Sequence, residues 1–506
     1  MHPLSLRPSR RDCLTLAGAL ALPPFVRHAG AADVPRFALG VASGHPSAQS
    51  IVLWTRITGA DLPAEVPVHW ELARDERFSQ IVARGSEIAL EADAHSVHAE
   101  PSALEPSRWY WYRFEALGQR STVGRTRTAP AADAPEGLRF ALASCQRYDH
   151  GHYAAWRHVA QAELDLVLFV GDYIYEYASP PTALRMHSGG TVRTLQQYRA
   201  RYAQYKSDAS LQAAHAAAPW LMVWDDHEVE NDYAGLQGPA LQPDFGAQRS
   251  AAYRAYWEHM PFPKALKPGG ADMRIYGRTP WGALATIHAI DDRQYRDPQA
   301  CPREGRGGGN SVRLRDCPEL NDPKRSLLGA AQERWLAEGW DLQRPWNLLM
   351  QQTLMARFSW QEPDVGVYWT DGWDGYAASR ERLLGSVAER KVPGVVVLGG
   401  DVHAHYVADL KRDFDDAGAP VVATEFCGTS IASRGAAQDR VAEAMRHNPH
   451  IRYGRSDRRG HVQCALDART LQAQLMAVDD PTKPDSAVQV LARFVVDAKQ
   501  PGAQVG

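Results

Sequence analysis

Residues 224–232 read WDDHEVEND: five acidic side chains, a histidine and an asparagine directly behind the apolar run LMV. An unpaired charge buried behind a strand costs several kcal/mol or more, so a cluster of this kind needs a cation to offset it. Three other stretches offer donors of the same sort: SCQRYDH at 144–150, GDYIYE at 171–176 and GGDVHAH at 399–405. Each alone is weak. An aspartate after glycine is common in turns, and a lone histidine near a strand is more often a hydrogen-bonded structural residue than a ligand. Together they supply a thiol at Cys145, carboxylates at Asp172, Asp226 and Asp401, a phenol at Tyr175 and imidazoles at His227 and His403. That donor set outlines a dinuclear metal centre.

Such a set converges only if its four stretches stand at one sheet edge. Each follows a continuous apolar run (FALA, LVLFV, LMVW, VVVL), and NLLMQ at 347–351 is a fifth. Runs of this length suit strands buried on both faces, with helices such as TLQQYRARYAQY and GAAQERWLAEGW covering them, and in layered α/β folds ligands bind beyond the carboxyl ends of the strands. Residues 37–127 have another texture. Short alternating runs such as VPVHWELA and RWYWYRFEAL, separated by Pro, Gly and Asp turns, read as an antiparallel sandwich of the immunoglobulin or fibronectin kind. TAPAADAPEG at 128–137 has a linker composition.

At 506 residues the chain exceeds what one core usually organises. The expected division is a signal at 1–31, an all-β domain at 32–133 and a catalytic domain at 134–506. The signal is expected because SRRDCL at 9–14 puts a twin arginine ahead of an apolar stretch ending near Val26, and the small residues of AGAAD place cleavage after Ala31. This looks like a twin-arginine export signal, with the Tat machinery as partner and a periplasmic or secreted destination. Pro23 and Pro24 interrupt an apolar stretch that is already short of the roughly 20 residues a membrane span needs, and no later segment reads as a span. A net charge of -3 offers no basic surplus for nucleic acid, so partners are expected to be small or neutral. Cys301 and Cys317 flank a glycine-rich loop and are candidates for a disulfide, as are Cys427 and Cys464, with Cys145 left over.

GDYIY, DDHE and GDVH fall in the order of the calcineurin-like metallophosphatase signatures GDxxY, GNH(D/E) and GHxH. Cys145 stands where the first ligand is usually Asp, Asp226 where Asn is expected and Asp401 where the first His of GHxH is expected. These departures resemble the alkaline phosphatase D family. So do FALGVASGHP with VLWTR, DDRQYR at 291–296, DGWDGY at 371–376, TEFCGTSIAS at 424–433 and NPHIRYGRSDRRGH at 448–461.

The resemblance implies a four-layer α/β/β/α catalytic domain behind the N-terminal β domain, and hydrolysis of phosphate esters by in-line attack of a metal-bound hydroxide. Thiolate and phenolate suit iron(III), so Cys145, Asp172, Tyr175 and His403 would make one site with Asp172 bridging, while the oxygen-rich pair Asp226 and Asp401 suits calcium. Asn231 and either Gln351 or Gln352 are candidates to complete that shell. His227 occupies the position of the family's catalytic histidine, able to bind a phosphoryl oxygen or protonate a leaving alkoxide. Arg293, with Arg147 and Arg296, is a candidate phosphate clamp. Nothing in the residues separates monoesters from diesters such as phospholipids, teichoic acid or nucleic acid backbones. A rival of another class is an exported binding module with a vestigial metal site, whose signature would be missing ligands.

Overall fold

All five apolar runs form strands: Leu138–Ala143, Leu166–Val170, Trp220–Val223, Trp346–Met350 and Val395–Gly399. The computed structural model describes residues 35–362 and 365–506, and the expected export signal lies outside them. The first three strands run parallel and side by side in a ten-stranded sheet. The antiparallel strands Arg459–Leu466, Thr470–Val478, Val488–Asp497 and Gln500–Val505 extend that sheet beyond Leu138–Ala143. The other two runs pair in parallel within a seven-stranded sheet, between Ala285–Ala289 and Val421–Cys427.

One apolar core joins the two sheets, with Phe140, Leu142 and Leu168 of the first and Leu348, Met350, Val396 and Leu398 of the second in the same cluster. The alternate residues Val395 and Val397 instead pack with Leu383, Leu384 and Val387 of the helix Ala377–Arg390. Successive side chains of a strand face opposite ways, so a strand covered on both faces is apolar throughout, as its sequence shows. The helix Leu195–Lys206 starts at the capping box of Thr194 and Gln197 and buries Tyr198, Tyr202 and Tyr205 in the core of the ten-stranded sheet.

The N-terminal part is all-β, but its sheets are not self-contained. A five-stranded sheet built on Glu65–Ala73, Ile81–Leu90 and Trp109–Ala116 packs Val66, Val68, Tyr112 and Phe114 against Val41, Leu53 and Val97. Those last three belong to Val41–Gly44, Val52–Arg56 and Ser96–Ala99, which continue the ten-stranded sheet past Trp220–Val223. The join is the parallel pairing of Gly44 with Trp220. Only glycine fits there: a Cβ would stand 2.7 Å from the carbonyl oxygen of Pro261 and 2.8 Å from that of Trp220.

Cys301 and Cys317 form the expected disulfide. Cys427 and Cys464 do not: they lie on strands of different sheets, both as buried free thiols, and the Cys427 thiol donates to the Gly400 carbonyl at 3.2 Å. No described helix is long and apolar enough to cross a membrane.

Candidate metal centre

The chain turns sharply just past the apolar strands. Cys145 (φ 59°), Asp172 (φ 60°), Asp401 (φ 64°) and His403 (φ 54°) all take left-handed backbone conformations. For a side chain other than glycine this costs about 1–3 kcal/mol per residue and persists only where the surroundings fix it. Here they do. The Cys145 N–H donates to the Gly171 carbonyl at 3.0 Å, the Asp172 N–H donates to Glu228 Oε2 at 3.1 Å, and Ser433 Oγ donates to the Cys145 carbonyl at 2.8 Å. Gly171 (φ 105°) lets the neighbouring turn approach, because a Cβ would collide with that of Asp225.

These turns bring the expected ligands together. Donor atoms within 4.8 Å of one another form the groups Cys145–Asp172–His403, Asp172–Asp226–His227 and Asp172–Asp225–Asp401, with a fourth group of Asp226, Asp232 and Asp371. Asp172 belongs to three of the four, the position a bridging carboxylate requires. The Tyr175 hydroxyl donates to Asp172 Oδ2 at 2.7 Å and lies 3.2 Å from His403 Nε2. The His403 ring is held through Nδ1, 2.8 Å from the Arg434 carbonyl oxygen.

The donor atoms fit cations. Asp172 Oδ1, Asp225 Oδ2, Asp226 Oδ1 and Gln352 Oε1 are all buried with no hydrogen-bond partner among the described residues. Buried acceptors are nearly always paired, so this many orphans in one place mark where positive charge belongs. The two candidate amides also separate. Gln351 Oε1 already accepts from the Trp373 indole at 3.0 Å and the Thr353 N–H at 3.2 Å. Gln352 donates its NH2 to the carbonyls of Trp224 and Ile290, which leaves its oxygen free. Asn231 donates its backbone N–H to Glu176 Oε1 at 2.9 Å and stands beside Asp232 on the wall of a neighbouring cavity.

Electrostatics point the same way. Burial, together with the Asp226, Glu228 and Asp401 carboxylates, pushes Asp172 well above the usual carboxylate range, and burial with Asp226 lifts Asp401 to about 6. Burial pushes the Cys145 thiol up as well, reinforced by Asp172 and Asp401. Carboxylates and a thiol this crowded are all ionised together only when cations lie among them. Asp226 is the exception: burial raises it, but Arg293 and His227 more than offset burial and hold it low. For His227 burial opposes the charged form, yet Glu176, Asp172 and Asp226 outweigh it and push its pKa up. Glu176 Oε2 lies 2.7 Å from His227 Nδ1, and the imidazole stands 4.1 Å from the Tyr175 ring.

The arginines differ from expectation. Arg293 is fully buried, with its guanidinium bonded to Asp225 and, at 2.7 Å, to Asp371. It is not placed to clamp a phosphate; it fixes the carboxylates around the centre. Arg296 is equally buried, 2.8 Å from the other oxygen of Asp371. Arg147 alone of the three stays partly exposed, paired with Asp149 and lying over the rings of Tyr175 and Tyr177. Residues that sequence reasoning did not single out are Asp225, Asp232 and Asp371, which add carboxylates, Glu176, which orients His227, and Ser433, 2.8 Å from the Tyr175 oxygen. All five stand inside stretches already notable in the sequence: Asp225 and Asp232 in WDDHEVEND, Glu176 in GDYIYE, Asp371 in DGWDGY and Ser433 in TEFCGTSIAS.

A two-layered β core, a carboxylate bridging donor groups and a thiol with a phenol at one sheet edge define a metallophosphatase-like centre. The family profile of PhoD-like phosphatases matches residues 140–475, and that of their N-terminal domain matches residues 25–130. The chain is 42% identical over 486 residues to alkaline phosphatase D of Bacillus subtilis (strain 168), covering 92% of this chain and 82% of the relative. It superposes on a solved structure of PhoD with a TM-score of 0.87 and 41% identity, covering 93% of this chain and 92% of that one. The chain belongs to the PhoD-like phosphatase family, and so to the phosphoric ester hydrolases.

Proposed function

We propose that the chain is an exported, metal-dependent phosphohydrolase that holds iron(III) with Cys145, Asp172, Tyr175 and His403, and calcium with Asp172, Asp226 and Asp401, Gln352 completing the calcium shell. The observation that carries this reading is the sharing of Asp172 by three ligand groups, one with a soft thiolate and the others rich in oxygen. Bound there, the ions supply Lewis acidity to the phosphoryl oxygens and to the attacking water.

The chain's own groups do the rest. Glu176 holds His227 through Nδ1, which leaves Nε2 to protonate the departing alkoxide. With a cation held by Asp172 and Asp226, their pull on the imidazole would be cancelled, and Glu176 would be the partner that keeps the proton on it. Arg147, at the rim, is the guanidinium available to a phosphoryl oxygen. Arg293 and Arg296 keep Asp225 and Asp371 in place. The twin-arginine stretch at 9–14 supports export by the Tat route.

One observation favours diesters within this reading. Cavities of about 510 Å³ and 270 Å³ adjoin the centre, the first touching Asp401 and the second Glu176 and Asp232, with Trp369 in the wall of both. Two ester groups on one phosphorus would each have room. Release of nitrophenolate from mono- and bis-nitrophenyl phosphate, with added calcium and then with a calcium chelator, tests the proposal. Calcium-dependent turnover with the bis-ester hydrolysed faster is expected; full activity in excess chelator would sink the calcium assignment, and preference for the monoester would sink the diester reading.

A further inference from the structure

The 510 Å³ cavity beside Asp401 is unlike the rest of the site. Thr353 and Asp401, joined by a 2.7 Å hydrogen bond from the Thr353 hydroxyl to the Asp401 carboxylate, form its inner end. Five aromatic side chains, Phe358, Trp360, Trp369, Trp373 and Tyr406, share its other walls with aliphatic residues and a few polar ones at Ser311, Gln361 and Arg440. Several of these rings are fixed by one another or by polar anchors. Phe358 meets Trp360 edge-on at 5.0 Å and Tyr406 at 5.2 Å, the Trp373 indole donates to Gln351, and the Arg440 guanidinium lies 5.1 Å over Trp360. The one carboxylate among the outer walls, Asp374, is already bonded to Arg380 at 2.7 Å and to the Phe358 N–H at 2.9 Å. Hydrolysis of a phosphate requires none of these rings, and a site for small polar esters would not hold them apart around an open apolar space.

We propose that this cavity is a specificity pocket for an aromatic ester group, so that the preferred substrates carry a planar apolar substituent on the phosphate. This rests on the hydrolase reading for the position of phosphorus. With the phosphoryl group at the metal centre, the first atoms of one ester group pass Asp401 and Thr353 and the remainder enters the pocket. There a flat ring meets faces and edges of fixed aromatic side chains, contacts worth more than area burial alone. An extended alkyl chain would bury similar area without that geometric match.

Calorimetric titration of the metal-loaded protein with methylphosphonate, octylphosphonate and 1-naphthylmethylphosphonate tests the pocket independently of turnover. The naphthyl ligand is expected to bind at least about 30-fold more tightly than the methyl one, a ratio that burial of only about 80 Å² of its ring surface supplies. Trp360→Ala should reduce that ratio to about threefold while leaving methylphosphonate affinity unchanged. Trp369→Ala, at a ring already 38% exposed, should reduce it in the same direction. Equal binding of the naphthyl and methyl ligands, a ratio untouched by both substitutions, or tighter binding of octylphosphonate would overturn the proposal. Aromatic selectivity in a protein that turns over no ester would sustain the pocket and defeat the hydrolase reading instead.

Discussion

Gln351 and Gln352 are adjacent, chemically identical and both fully buried, yet only Gln352 has an amide oxygen without a partner. The two follow the last residue of Trp346–Met350 and meet different neighbours, Trp373 and Thr353 for Gln351 and the Trp224 and Ile290 carbonyls for Gln352. Gln352→Ala is therefore expected to raise the calcium concentration for half-maximal activity by about 10- to 100-fold with iron content unchanged. Gln351→Ala should leave calcium dependence alone and cost about 1–3 kcal/mol of stability through the orphaned Trp373 indole. Equal calcium dependence of the two variants would remove Gln352 from the shell. The sequence could not make this distinction, because both residues lie just past the same apolar run. It did single out Cys145, Asp172, Tyr175, Asp226, Asp401 and His403, each a few residues beyond an apolar run, and the fold brings them into one place. The role of Asp371, which begins DGWDGY, was not legible for the opposite reason. Its role depends on meeting Arg293 across 78 residues of chain, and no local pattern encodes that pairing.

At the scale of elements, the apolar runs were legible because strands covered on both faces leave an unbroken signature. The route by which N-terminal strands extend the central sheet was not, since it depends on a single close pairing at Gly44. The cysteines divide by the same logic. Cys301 and Cys317 close a short loop whose strand Ser311–Arg313 pairs with Val367–Trp369, whereas Cys427 and Cys464 are core residues of two different sheets. The disulfide therefore steadies the element that presents Trp369 to both cavities. Replacing both cysteines by serine should cost about 3 kcal/mol by loop entropy. It should also open the loop to trypsin at Arg303 and Arg306 before the rest of the chain is cut. Unchanged cleavage kinetics in the double variant would show that strand pairing alone holds the loop.

At the scale of the whole molecule, buried ionisable groups outside the metal centre set the response to acid. Burial lowers His45, His98 and His288 to about 4 and His461 to about 3, from an ordinary 6.5. Nearby charges do not reverse this: His98 faces Asp93, Lys264 and Lys267, His288 faces Arg278 and Asp341, and His461 faces His405 and His158. Below pH 6.5 the unfolded chain binds protons at these positions and the folded chain does not, so stability falls as pH falls. Glu425 acts oppositely. Burial raises it from 4.5 to about 7 against the pull of Arg380 and two backbone N–H donors, so between those values the folded state holds a proton that unfolding releases. Each such histidine takes up close to one proton on unfolding near pH 5.5, which lowers stability by about 1.4 kcal/mol per pH unit, and Glu425 offsets the equivalent of one of them. Protonation of metal ligands acts in the same direction. The thermal midpoint of the metal-loaded protein should therefore drop steeply between pH 7 and pH 5.5. His98 lies in the N-terminal part, stacked on Trp257 at 4.1 Å, so His98→Gln separates the histidine contribution from metal loss. That variant should take up about one proton fewer on unfolding at pH 5.5, and an uptake equal to that of the parent would leave metal release as the cause of acid lability.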